Sequence, residues 1–257
     1  MDAAECYELL HKCWSSPVAE EQAAEYFATL TLAEAGLYYG IESEQSEHKD
    51  VLLSKAESLM SKALDMGYKD NGEVFINLFS CYYAHKFVNE TKYLDLAKQT
   101  LLRGLEQHPA NVSIIERLAE LYSVEKVGDI EEVVMFVNEA LIAEPNSYEL
   151  WYQSGVLYGA LGEYDEAISS LERCVELHPD SFEANYGVAC FIIEKANRML
   201  TQLNEHIYDY RIDYKAELAE INKVYAEALP YLEHAHNLNP DDKATIEDLG
   251  ALRERLK

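Results

Sequence analysis

The chain has 257 residues, of which 49% are hydrophobic, so it can fold around a sizeable core rather than remain disordered. Its 47 acidic and 21 basic residues give a formal net charge of −26, which disfavours nucleic acid and anionic membranes as partners and favours basic proteins or peptides. The same acidity could instead serve only to keep the chain in solution.

Residues 1–16 are predicted to form an amphipathic helix that caps the N-terminal end of the fold. They lack the basic and apolar segments of a secretory signal, and the chain has no apolar run of about 18 residues. The five cysteines are odd in number and include no Cys-x-x-Cys pair, which argues against a disulfide framework. We therefore expect a cytoplasmic protein without a membrane-spanning helix, unless an export signal has been removed.

Helical periodicity continues through the chain, and prolines interrupt it at a nearly constant interval. Pro109, Pro145 and Pro179 follow one another at almost equal spacing, and Pro240 comes after a longer interval. A period of about 34 residues is typical of stacked helical hairpins, each of which buries its apolar face only against its neighbours. The pattern predicts an all-α solenoid of about twelve helices. Four residues are expected to cap these helices: Asn111, Asp129, Asn146 and Asp180.

The predicted organisation is a single solenoid domain over 1–257. After the cap helix it contains a degenerate repeat over 23–68, repeats over 72–110, 111–146 and 147–180, a longer repeat over 181–241, and a C-terminal cap helix over 242–257.

The clearest repeat lies between Tyr148 and Asp180. It reads Trp151-x2-Ser154-Gly155-x2-Tyr158, then Gly162, Tyr164, Ala167-x3-Leu171-x2-Cys174-x4-Pro179. This pattern resembles the tetratricopeptide repeat, from which only Ser154, usually leucine, and Cys174, usually alanine, depart. The resemblance implies a right-handed α-α superhelix of four to five repeats.

Residue size assigns roles within this repeat. Trp151 and Tyr158 are large enough to fill the space between its two helices. Gly155 and Ala167 are small, so we expect them where the helices approach most closely.

The last repeat carries about 27 extra residues, and they keep a helical pattern. Apolar stripes over 192–207 and 214–225 predict that both of its helices are lengthened into an antiparallel hairpin. Its tip would lie near 209–213, and its first helix would be roughly 35–40 Å long. Elongated final repeats with an Ala-Leu-Pro-Tyr-Leu-Glu segment are similar to those in tetratricopeptide proteins of Bacteroidetes bacteria.

No motif predicts catalysis. The sequence lacks a Gly-rich phosphate loop, a His-Glu-x-x-His helix and a nucleophile elbow, and we predict no catalytic residue, cofactor or metal. His234 and His236 are two residues apart on a predicted helix, so they face different directions and make a poor metal pair.

The resemblance implies that the first helix of each repeat lines a concave groove. Ten residues at outward positions on these helices form what we call the first-helix surface: Glu73, Asn77, Tyr83, Glu116, Arg117, Glu120, Glu149, Tyr152, Glu183 and Tyr186. An acidic surface with tyrosines favours a peptide or helix with basic and apolar residues, although these positions could also be merely solvated. Family co-chaperones hold a C-terminal carboxylate with Lys and Asn clusters, to which only Asn77 and Arg117 are comparable here. We therefore expect no binding to acidic chaperone tails.

The hairpin tip offers a second candidate surface. Tyr208, Tyr210 and Tyr214 could anchor a partner or a twofold dimer, or could pack against the preceding helices.

Together these features predict a non-enzymatic protein-interaction scaffold. The alternatives are a dedicated chaperone or assembly factor for one basic client, an enzyme with a pocket between the long hairpin and the groove, and a self-assembling structural module. A chaperone of that kind would bind with steep salt dependence.

Overall fold

The computed structural model describes residues 31, 49–66, 72–87, 89–126, 128–205 and 213–257. All regular structure in these ranges is helical. The cap helix predicted for 1–16 and much of the repeat predicted for 23–68 lie outside the described residues. The chain divides into two compact units, Met1–Asp129 and Ile130–Lys257, which are considered in turn. None of the described helices is both long enough and apolar enough to cross a membrane.

The described part of the first unit consists of helices that pack against their neighbours in chain order. They are α1 (Lys49–Asp65), α2 (Glu73–Ala84), a 3-10 turn (His85–Phe87), α3 (Glu90–Gln107) and α4 (Val112–Glu125). Phe75 and Ile114 are fully buried and meet at Gly104. A Cβ on Gly104 would lie 2.9 Å from Ile114 Cδ1 and 3.1 Å from Phe75 Cβ, so only glycine permits this approach.

The second unit centres on one long helix. Its elements are α5 (Ile130–Ala143), α6 (Tyr148–Leu161), α7 (Tyr164–Leu177), α8 (Phe182–Glu205), α9 (Tyr214–Glu227), α10 (Leu229–Leu238) and α11 (Lys243–Arg255). Helix α8 packs against α7, α9 and α10, and its residues Val188 and Ile192 lie in a core with Leu171 of α7 and Leu232 of α10. Helix α8 therefore connects α7, α9 and α10 through one shared core.

One turn recurs before four helices and gives the proline spacing a physical cause. Each turn ends in a residue whose side-chain oxygen accepts a hydrogen bond from the N–H three residues later, at 2.8–3.3 Å. The backbone N–H of the capping residue donates a hydrogen bond to the carbonyl oxygen three residues earlier, which closes the turn. The proline stands at the second position of this turn, where its fixed φ is favourable. The four capping residues are Asn111, Ser147, Ser181 and Asp242. The repeat boundaries given above stay a prediction.

Two of the predicted caps are wrong by one residue. Asn111 caps α4 as predicted, but the Ser147 and Ser181 hydroxyls do so where Asn146 and Asp180 were expected. Serine is as good an N-cap as Asn or Asp, and it stands at the position from which its oxygen reaches the third N–H of the helix. The expected cap at Asp129 stays a prediction.

The small residues of the α6–α7 hairpin lie where the helices touch, as predicted. A Cβ on Gly155 would be 2.6 Å from Leu171 Cγ and 3.3 Å from the Ala167 carbonyl oxygen, and Ala167 has no exposed surface. Ser154, which stands where the repeat pattern usually has leucine, has a hydrogen-bond partner inside the hairpin. Its hydroxyl forms a hydrogen bond of 3.0 Å with the Ser170 hydroxyl.

The two large residues are less buried than predicted. Trp151 and Tyr158 are both partly exposed, and each uses its polar atom. Trp151 Nε1 donates to the Pro145 carbonyl at 2.9 Å, and the Tyr158 hydroxyl accepts from Asn138 Nδ2 at 3.2 Å. Trp151 thus hydrogen-bonds the turn before α6, and its partly buried ring also packs against the core of the second unit.

For the long final hairpin, the prediction of the first helix is confirmed and the prediction of the second is wrong. Helix α8 has 24 residues, which corresponds to about 36 Å, as expected. The single long partner helix expected after Tyr214 is instead two helices, α9 and α10, which meet at Ala228. Pro230 lies in the first turn of α10, where its missing N–H is tolerated, and it cannot continue the preceding helix. The tip predicted near 209–213 lies almost wholly outside the described residues.

Candidate functional site

In the first unit, the first-helix surface lies on α2 and α4, which pack against each other. Glu73, Glu116, Arg117 and Glu120 are exposed, and Asn77 is half-buried. Arg117 donates to Glu120 Oε2 at 2.9 Å, so the one cation of the surface is offset by a carboxylate of the same helix. The expectation that this surface does not bind acidic chaperone tails stays a prediction.

Tyr83 is tied into a cluster that the sequence did not reveal. Its hydroxyl donates to Glu125 Oε1 at 2.6 Å, and Lys86 bonds the same carboxylate oxygen while its ammonium lies 4.0 Å from the centre of the Tyr83 ring. The hydrogen bonds from Lys86 and then Tyr83 lower the pKa of Glu125. Tyr83 therefore links α2 to the end of α4, and its ring already contacts Lys86 and stacks on Phe79.

In the second unit, α6 and α8 present the same arrangement one repeat apart. Each helix begins with an aromatic residue followed by glutamate, and a tyrosine follows one turn later. Tyr148 stacks on Tyr152 with ring centres 6.1 Å apart, and Phe182 stacks on Tyr186 at 5.7 Å. Glu149 and Glu183 hold equivalent positions, each the second residue of its helix. The structure thus brings four predicted residues into two matching aromatic–carboxylate groups.

The two groups act on each other electrostatically. Burial raises the pKa of Tyr152, and the Glu183 carboxylate on the neighbouring helix raises it further. Tyr186 donates its hydroxyl hydrogen to Asp248 Oδ2 of α11 at 2.8 Å, and burial followed by this hydrogen bond raises its pKa as well. Tyr152 and Tyr186 therefore keep their hydroxyl protons and stay uncharged beside carboxylates. Uncharged aromatic rings next to carboxylates suit a cationic ligand.

A pocket of about 460 Å³ opens where α6 and α8 begin. We call it the cap pocket; it is lined by Tyr148, Glu149, Leu177, His178, Pro179, Asp180, Ser181 and Glu183. Tyr148 and Ser181 hydrogen-bond through their hydroxyls at 2.8 Å, and the His178 ring stands edge-on to Tyr148 at 5.0 Å. The lining of the cap pocket therefore combines the rings of Tyr148 and His178 with three carboxylates, those of Glu149, Asp180 and Glu183.

Sequence reasoning found Glu149 and Glu183 but missed Tyr148, His178 and Asp248. The recurrence of aromatic–Glu at Tyr148 and Phe182 was a signal that could have found the first of these. No local pattern identifies Asp248, because it lies 62 residues from Tyr186.

The second candidate surface is only partly described. Tyr208 and Tyr210 lie outside the described residues. The Tyr214 hydroxyl donates to Asn204 Oδ1 at 2.8 Å and joins the two arms of the hairpin. Its role as a partner anchor stays a prediction.

Two cysteines of the second unit are held in the protonated form. Burial raises the pKa of the Cys174 thiol to about 12 and that of Cys190 to about 11, so neither is a thiolate nucleophile near neutral pH. Within the described ranges, no group of three His, Cys, Asp or Glu side chains is placed to hold a metal ion.

Comparison with known proteins identifies the repeat. Residues 148–181 match the tetratricopeptide repeat family model. The chain is similar in structure to YrrB, a TPR protein with an unusual peptide-binding site, at 16% identity over 95% of this chain and 97% of that chain, with a TM-score of 0.50.

Two further solved structures are similar over much of the chain. TTC0263, a TPR protein of Thermus thermophilus, is 18% identical over 88% of this chain and 99% of that chain, with a TM-score of 0.44. MamA MSR-1 is 20% identical over 80% of this chain and 97% of that chain, with a TM-score of 0.46. Identities of this size bear on the fold and not on the ligand. The expected similarity to Bacteroidetes proteins stays a prediction.

Proposed function

We propose that this tetratricopeptide-repeat protein is a non-enzymatic scaffold that binds a peptide or helix with basic and apolar residues on its first-helix surface. The observation that carries the proposal is the repeated aromatic–carboxylate group on α6 and α8. Glu149 and Glu183 each accept a hydrogen bond from the serine two residues earlier, at 3.3 Å. In the described part of the chain neither has a cationic partner, so both carboxylates are available to one.

Lysine or arginine fits this arrangement for two reasons. The charged group gains from the carboxylates and from the face of a tyrosine ring, and the aliphatic stem packs against the ring. Tyr148, Tyr152 and Tyr186 supply large contact areas at a small cost in side-chain entropy. Apolar ligand residues would add contact with Leu177 and Pro179, which line the cap pocket.

A protein of this fold can present a peptide-binding site. YrrB is described by its peptide-binding site, and the chain shares its fold over most of both lengths. The acidity of the chain supports the basic character of the ligand, because a net charge of −26 steers cations toward the surface and repels anionic partners.

A dedicated chaperone or assembly factor for one basic client is the alternative use of the same surface. The exposed carboxylates Glu73, Glu116 and Glu120 favour it, because they extend the acidic character to the first unit. A client held mainly by charge would dissociate steeply as salt rises, whereas a peptide anchored on tyrosines would depend less on salt.

Affinity capture from the native cell, followed by mass spectrometry, tests the proposal. The wild-type chain is compared with Glu149→Gln/Glu183→Gln and with a control of equal charge, Glu139→Gln/Glu144→Gln, whose glutamates are exposed outside the first-helix surface. We expect the captured set to lose its basic proteins with the first variant only. Retention of the same partners by both variants would contradict the proposal.

A further inference from the structure

A second pocket, of about 510 Å³, lies beside the break between α9 and α10. We call it the break pocket. Its walls come from α7, α8 and the two arms that meet at Ala228, and none of its lining residues belongs to the first-helix surface. Its apolar part consists of Ile168, Ile192, Val224 and Pro230, of which Ile192 is buried in the core. The extra residues of the final hairpin and the proline that divides its second arm therefore create this cavity.

The rim of the break pocket carries an excess of negative charge. Lys195 Nζ lies 2.5 Å from Asp165 Oδ1, so these two charges offset each other. Glu172 accepts a hydrogen bond from the Tyr231 hydroxyl at 2.9 Å. Because this donor is neutral, it does not offset the negative charge of Glu172. Glu227 is exposed and has no ion pair or hydrogen bond from its side chain among the described residues.

We propose that the break pocket is a second binding site, for an arginine or lysine side chain of a partner protein. The aliphatic stem of such a residue packs on Ile168, Val224 and Pro230, and its charged end meets Glu172 and Glu227. A volume of about 510 Å³ accommodates one such side chain together with an adjacent apolar residue. Charge complementarity selects this occupant over a second copy of the chain, which would bring a net charge of −26 to an acidic rim.

Two short peptides test the site directly. The first is Ac-Gly-Leu-Arg-Leu-Gly-NH₂, and the second has glutamine in place of arginine. We expect saturable NMR shifts of the Ile168, Ile192 and Val224 methyl groups with the arginine peptide and much smaller ones with the glutamine peptide. Glu227→Gln should weaken binding of the arginine peptide about three- to tenfold.

Matched variants separate this site from other acidic positions. Glu217→Gln removes the same charge from an exposed position of α9 outside the pocket and should leave the affinity unchanged. Ser169→Phe fills the pocket from its exposed rim and should abolish the methyl shifts while the thermal unfolding temperature stays close to that of the wild type. Equal binding of the two peptides, an equal loss with Glu217→Gln and Glu227→Gln, or shifts confined to the first-helix surface would each overturn the proposal.

Discussion

The Tyr186 hydroxyl donates a hydrogen bond to Asp248 Oδ2 at 2.8 Å, although the two residues are 62 positions apart. The bond joins the first-helix surface of α8 to the last helix, α11. Around it, Leu249 and Leu252 of α11 are buried in the same core as α8. The C-terminal helix therefore belongs to the packed unit that forms the candidate site.

Loss of this hydrogen bond should destabilise the second unit. We expect Tyr186→Phe to lower the free energy of unfolding by about 1–2 kcal/mol, because a carboxylate loses its donor. Urea unfolding followed by circular dichroism measures the change. Asp248→Asn and the double variant complete a thermodynamic cycle, and additive effects would show that the two side chains do not interact.

The two glycines Gly155 and Gly250 should respond in opposite directions to alanine. A Cβ on Gly155 would lie 2.6 Å from Leu171 Cγ, so Gly155→Ala should destabilise the protein by about 1–3 kcal/mol. A Cβ on Gly250, in the exposed face of α11, meets nothing within 4 Å, so Gly250→Ala should stabilise it by about 0.5–1 kcal/mol through helix propensity. Thermal unfolding of the two variants checks both signs, and a stabilising Gly155→Ala would contradict the packing of α6 on α7.

The buried hydroxyl pair of Ser154 and Ser170 gives a third test. Ser170→Ala should cost about 1–2 kcal/mol, because it removes a partner from a hydroxyl that stays buried. Replacing both residues with alanine should cost less than the sum of the single changes, since no unpaired hydroxyl remains. Chemical denaturation of the three variants measures the coupling, and strictly additive losses would rule out the pair.

Tyrosine burial predicts a loss of stability at alkaline pH. Burial is the main cause that raises the pKa values of Tyr152, Tyr186 and Tyr231, the last to about 12. The unfolded chain loses its phenolic protons near pH 10, whereas the folded chain keeps them longer. The free energy of unfolding should therefore hold up to about pH 10 and fall as the pH rises toward about 12.

Denaturant unfolding at several pH values measures this loss, and Tyr231→Phe should make it shallower. A free energy of unfolding that does not change over this interval, or an identical slope in Tyr231→Phe, would contradict the assignment.

The sequence predicted best what depends on residue size and on local spacing. Gly155 and Ala167 were assigned to the helix contact because only small residues fit there, and the proline interval marked the turns. It predicted less well where several residue types do the same work, so Asn146 was chosen as a cap in place of the adjacent Ser147.

Long-range features were beyond the reach of local pattern. The break at Ala228 was missed because the apolar stripe continues in register across it, and Pro230 is tolerated in a first helical turn as well as beyond a helix end. The pairing of Tyr186 with Asp248 depends on how α11 packs on α10, which no local pattern encodes.

The most direct test of the central claim is the affinity of a labelled peptide of alternating lysine and leucine, measured by fluorescence anisotropy at several salt concentrations. Because any strongly acidic chain attracts cations, the decisive comparison is between Glu149→Gln/Glu183→Gln and Glu139→Gln/Glu144→Gln, which lose the same charge. We predict that the first variant binds at least about tenfold more weakly than the wild type, while the second is nearly unaffected. Equal affinities for the two variants would show that the peptide is held by overall charge and not by the first-helix surface.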